Sequence, residues 1–77
     1  MTDTEQTFGE RAVGLSFNPS GDDMVTHLKS EVAEFIDTCA AQREKATEPE
    51  VKRMYSIAIT EAQTAQMWAV KAATWRS

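Results

Sequence analysis

Residues 47–75 read TEPEVKRMYSIAITEAQTAQMWAVKAATW. Val51, Tyr55, Ala58, Ala62, Ala65, Ala69 and Ala72 recur at alternating steps of four and three, the spacing of one helix face. This seam is mostly alanine. A neighbouring helix can approach it closely, although each side chain buries little apolar area. A second row holds Met54, Ile57, Trp68 and Trp75, with Ile59, Met67 and Val70 between them. From Tyr55 to Val70 the only charged residue is Glu61, while Thr60, Gln63, Thr64 and Gln66 are polar and neutral. A helix that is apolar or neutral nearly all round is usually buried on several sides. A two-helix hairpin has only one inner face. The pattern therefore predicts self-association, with this helix near the centre of the oligomer.

Working outward, Thr47 and Glu50 have the spacing of a capping box. Pro49 suits a first helical turn, whose N–H groups lack helical partners in any case. A helix is expected over 48–75. Before it, Val25, Leu28, Val32, Phe35 and Cys39 step by three and four, and Ile36 and Ala40 widen the stripe. His27, Ser30, Glu34 and Asp37 fall on the other face. Asn18 or Ser20 can cap this helix, and Asp22-Asp23 suits the positive end of its dipole. A first long helix is expected over 22–46, roughly 37 Å long at about 1.5 Å per residue. The very short break makes the two helices antiparallel neighbours. Gly9, Gly14, Pro19 and Gly21 all precede them, so 1–21 reads as an irregular or short-helical N-terminal arm. The expectation is an all-α single domain, 1–77, assembled into a compact helical homo-oligomer.

Size and charge narrow the function. A 77-residue chain buries only roughly 60% of its unfolded surface and needs added support. One cysteine, Cys39, gives no internal disulfide. One cysteine and one histidine do not make the usual zinc cage. No cofactor or metal is expected, and partner chains become the expected source of stability. Eight Lys+Arg stand against 12 Asp+Glu, net −4, with pI about 4.8. That opposes broad binding to DNA or RNA polymers, which needs a basic face. It leaves room for one locally basic pocket. The polar start MTDTEQTFGER has no signal-peptide pattern, no stretch is apolar enough for a membrane, and free Cys39 fits a reducing cytosol.

No set of residues assembles a nucleophile, a base and an orienting group. His27 is accounted for as a surface residue, Cys39 as a core thiol and Asp22-Asp23 as first-turn acids. There is no Walker loop, GxGxxG, HExxH or CxxC. Lys29 lies on the first long helix among neutral neighbours, where it can meet a phosphate near the end of the arm or remain solvated. Phe17-Asn18-Pro19-Ser20 offers a ring, an amide and backbone N–H groups near a helix N-terminus, a combination that suits a nucleotide. As a plain capping segment, Phe17 would instead be a hydrophobic staple. Lys71 is the lone cation on an otherwise neutral face. Symmetry copies of it inside an oligomer would call for an anion, and it also suits the helix C-terminus. Arg11 is a further cation in the arm.

These residues resemble a known family. Phe8-Gly9-Glu10-Arg11-Ala12-Val13-Gly14-Leu15-Ser16-Phe17-Asn18-Pro19-Ser20-Gly21, then Val25, Leu28-Lys29 and Ile36-Asp37, look like the phage anti-CBASS protein 2 family. So does the closing run from Ile57 to Trp75. The hairpin is also similar to part of a phage anti-Thoeris sponge, whose Gln-Thr-Gly…Met…Arg pattern is met here by Gln63-Thr64-Ala65, Met67 and Lys71. The resemblance implies a cyclic-nucleotide sponge, which sequesters second messengers of bacterial anti-phage systems in the cytoplasm of the infected host and breaks no bond. It implies hexamers of hairpins, with cyclic dinucleotides such as cyclic GMP–AMP between N-terminal regions of paired subunits and cyclic trinucleotides in a second kind of pocket. By this resemblance Lys29 matches the dinucleotide-contacting lysine. The stacking aromatic of some members aligns with Gly14, which leaves Phe8 or Phe17 as substitutes. Lys71 stands for the arginine of the trinucleotide site, alongside Thr64, and keeps its charge without the planar fork. Two other readings stay open: a helical protein-interaction module without nucleotide, and a phosphodiesterase.

Overall fold

The computed structural model describes residues 5–76. Among these it contains three helices: α1 (Phe8–Ala12), α2 (Asp23–Lys45) and α3 (Pro49–Ala73). Helices α2 and α3 form the hairpin, joined by residues 46–48, and α1 packs on α2. The molecule extends 46 × 33 × 12 Å, so it is one layer of helices thick.

The break at Pro49 is where the sequence places it, but its capping differs. Glu48 is the N-cap of α3 and makes no side-chain cap bond. The Thr47–Glu50 capping box is therefore absent. Glu50 instead receives two hydrogen bonds from Arg53, at 3.1 and 2.7 Å. This contact lowers the Glu50 pKa and raises that of Arg53. The capping box lies at α1. Thr7 Oγ1 accepts from Glu10 N, and Glu10 Oε1 accepts from Thr7 N. Asp22 caps α2, its carboxylate accepting from Met24 N at 2.9 Å, so neither Asn18 nor Ser20 is the cap. They shape the turn before it. Asn18 Nδ2 donates to Asp22 O and Thr26 Oγ1, and Ser20 Oγ donates to Asn18 Oδ1.

The core is Val13, Ala33, Ile36, Cys39 and Ile59, flanked by Ala12, Leu15, Val32, Ala40, Tyr55, Ala58 and Ala62. Burying an isoleucine as fully as Ile36 stabilises by roughly 2 kcal/mol. The inner face of α2 is rotated from the expected stripe. Val25, Lys29, Ala33, Ile36 and Cys39 are buried, whereas Leu28 is half-buried and Phe35 is 52% exposed. The alanine seam also ends early. Ala58 and Ala62 flank the core, but Ala65 and Ala72 are exposed, and beyond Ile59 the buried residue of α3 is Gln66.

The arm explains the rotation. Gly9 N donates to Asp37 Oδ1 at 2.7 Å, which ties α1 to the face of α2 that reads as solvated. A Cβ at Gly9 would collide with the Ala33 carbonyl oxygen, so this close approach requires glycine. At the far end of the hairpin, Arg43 Nη1 donates to Ser56 Oγ at 3.0 Å and links α2 to α3.

Candidate ligand-binding groove

A groove of about 300 Å³ lies between the end of the arm, the start of α2 and the second half of α3. Phe17, Asn18, Pro19 and Ser20 line one side, Val25 and Lys29 come from α2, Gln66, Met67 and Val70 come from α3, and Thr74 is its C-cap. The fold thus gathers five of the residues singled out from sequence (Lys29 and the Phe17–Ser20 run) into one place.

Lys29 is the chemical centre of this groove. Only 5% of it is exposed, which the expectation of a solvated lysine does not anticipate. Its ammonium donates to Gly14 O at 3.0 Å and to Phe17 O, and lies 5.6 Å from the Phe17 ring centroid. Two of its three donors therefore hold the arm's last turn on α2. Those acceptors are neutral carbonyls. Among the described residues the ion pairs are His27–Glu31 and Glu50–Arg53, so no carboxylate neutralises Lys29. A cation without a counter-charge is costly to bury, and an anion reaching the groove would supply one.

Gly14 has φ +64°, a backbone conformation natural to glycine and strained for an aromatic residue. The ring available to the groove is Phe17, 71% exposed. Phe8 is 46% exposed and lies outside it. Arg11 is also outside, and its guanidinium donates to Gln6 O at 2.9 Å. From α3 and its C-cap the groove takes Gln66, Met67, Val70 and Thr74, none of which the sequence marked as site residues. Thr74 Oγ1 donates to Val70 O, while Gln66 is 6% exposed.

Lys71 belongs to a different, open surface shared with Trp68, Ala72 and Trp75, its ammonium 5.4 Å from the Trp68 ring centroid. Thr64 is not part of that surface. It lies one heptad earlier on α3, where its hydroxyl donates to Thr60 O at 3.4 Å. No three His, Cys, Asp or Glu side chains among the described residues are grouped to hold a metal ion. No helix among them is long and apolar enough to cross a membrane.

The hairpin and its arm match the family model described as Acb2/Tad1, hairpin domain, over residues 10–74. The chain belongs to this family. No curated protein and no solved structure matches it.

Proposed function

We propose that this protein is a phage anti-defence sponge that captures cyclic oligonucleotide messengers and sequesters them without breaking a bond. The reading rests on membership of the Acb2/Tad1 hairpin family and on one observation in the groove. There, a buried and unneutralised lysine stands beside an exposed ring at the end of the arm. A phosphate offers Lys29 the missing charge. A base offers Phe17 a stacking surface of the kind aromatic side chains give single-stranded nucleotides. A cyclic dinucleotide such as cyclic GMP–AMP carries both groups twice. A groove of about 300 Å³ is at the low end for ligand sites, so the reading has paired protomers, within a hexamer, enclose one cyclic dinucleotide. Cyclic trinucleotides are assigned to the Lys71 surface, where convergence of symmetry copies would build the anion site, with Thr64 one heptad away on the same helix.

Isothermal titration calorimetry with cyclic GMP–AMP tests this reading. Saturable binding at micromolar protein is expected, and Lys29→Ala should weaken it by at least tenfold. Silence with cyclic GMP–AMP and with other cyclic di-purines would overturn the reading. A second reading, a helical protein-interaction module, is favoured by the exposed apolar side chains Met67, Trp68 and Trp75. A stoichiometric protein partner retained in the absence of any nucleotide would support it.

A further inference from the structure

Gln66 stands apart from every other polar side chain of the groove. Asn18, Ser20, Lys29 and Thr74 each have protein partners. Gln66 has none among the described residues, although it is 94% buried by its 6% exposure. Its carboxamide is not sealed in, since no buried side-chain nitrogen or oxygen is left without a partner. Gln66 is one of the residues that line the groove, so its amide is within reach of a ligand held there. A polar group on a largely buried side chain with no protein partner is free to bond a ligand in the groove.

A carboxamide presents a donor and an acceptor side by side. Adenine offers the complement, an amino donor at N6 beside the N7 acceptor, whereas guanine offers two acceptors, O6 and N7, on the same edge. Resting on the cyclic-nucleotide reading above, we propose that Gln66 is the specificity-determining residue of this groove. Its Oε1 accepts from the adenine N6 amino group and its Nε2 donates to N7. Guanine at this position sets its O6 acceptor against Oε1, a repulsion that keeps the carboxamide from engaging the base. Lys29 and Phe17 grip phosphate and ring without regard to the base, and Gln66 on α3 chooses the base.

The test compares cyclic di-AMP with cyclic di-GMP by calorimetry on the full chain and on Gln66→Met, which keeps the side-chain length and removes the amide. The wild type should favour cyclic di-AMP by on the order of 10- to 100-fold, the discrimination of one bidentate pair. Gln66→Met should lose that factor for cyclic di-AMP and leave cyclic di-GMP within about twofold. In the wild type, the Gln66 side-chain amide resonance should shift with cyclic di-AMP and stay in place with cyclic di-GMP. This readout does not depend on the variant folding. Equal weakening toward both ligands, or an amide resonance indifferent to cyclic di-AMP, overturns the role of Gln66 and leaves the sponge reading standing. A wild type that binds neither of these overturns the role of Gln66, and one that is also silent with cyclic GMP–AMP overturns the sponge reading as well.

Discussion

Lys29 shows how one side chain can serve fold and site together. Its stem is buried in the hairpin and its ammonium clasps the Gly14 and Phe17 carbonyls. The same contacts hold the Phe17 ring at the groove. Hydrogen bonds from a charged donor contribute about 1.5–3 kcal/mol each, so Lys29→Ala should loosen the arm as well as remove the cation. Gly9 isolates the arm's docking from the groove. An alanine there meets the Ala33 backbone and displaces the Asp37 carboxylate. Gly9→Ala should lower stability by about 2 kcal/mol or more in urea denaturation and expose residues before Phe17 to limited proteolysis. A variant as stable and as resistant as the wild type would show that α1 does not dock where Gly9 places it.

The helices themselves were largely legible in the sequence, because Pro49 and two long periodic segments leave few alternatives. Their registers were not. The apolar stripe through Leu28 and Phe35 treats Lys29 as polar and therefore outside, yet two arm carbonyls draw it in. Asp37 reads as solvated because its partner, Gly9, lies 28 residues away. The site divides in the same way. Lys29 and Phe17–Ser20 could be found from residue type near a helix start, whereas Gln66 could not. A neutral glutamine on a neutral face carries no signal until α3 is packed against the arm. Capping makes a direct comparison possible. Thr7→Ala removes an observed cap bond and should cost about 1 kcal/mol. Thr47→Ala removes none and should stay within about 0.5 kcal/mol. Thermal denaturation of the two variants checks both values, and the reverse order would contradict the assignment of the caps.

At the scale of the whole molecule, a layer only 12 Å thick cannot cover both of its faces. Met54, Met67, Trp68 and Trp75 are each at least half exposed, and Trp68 and Trp75 share one open surface, the kind of adjoining apolar exposure that marks interaction sites. Assembly of identical chains would cover it and bring several grooves together. Sedimentation velocity should show a species several times the 8.6 kDa monomer, and Trp68→Glu should shift it toward the monomer. A monomer at all concentrations would contradict assembly. Convergence of grooves also reconciles a net charge of −4 with an anionic ligand, because a few aligned cations in a dry site outweigh a dispersed acidic surface. Native mass spectrometry with cyclic GMP–AMP joins these points most directly. The expected result is an oligomer carrying whole numbers of ligand, each recovered at its original mass after denaturation. An oligomer or monomer that retains no cyclic dinucleotide at micromolar concentrations, or that returns the ligand hydrolysed, would contradict it.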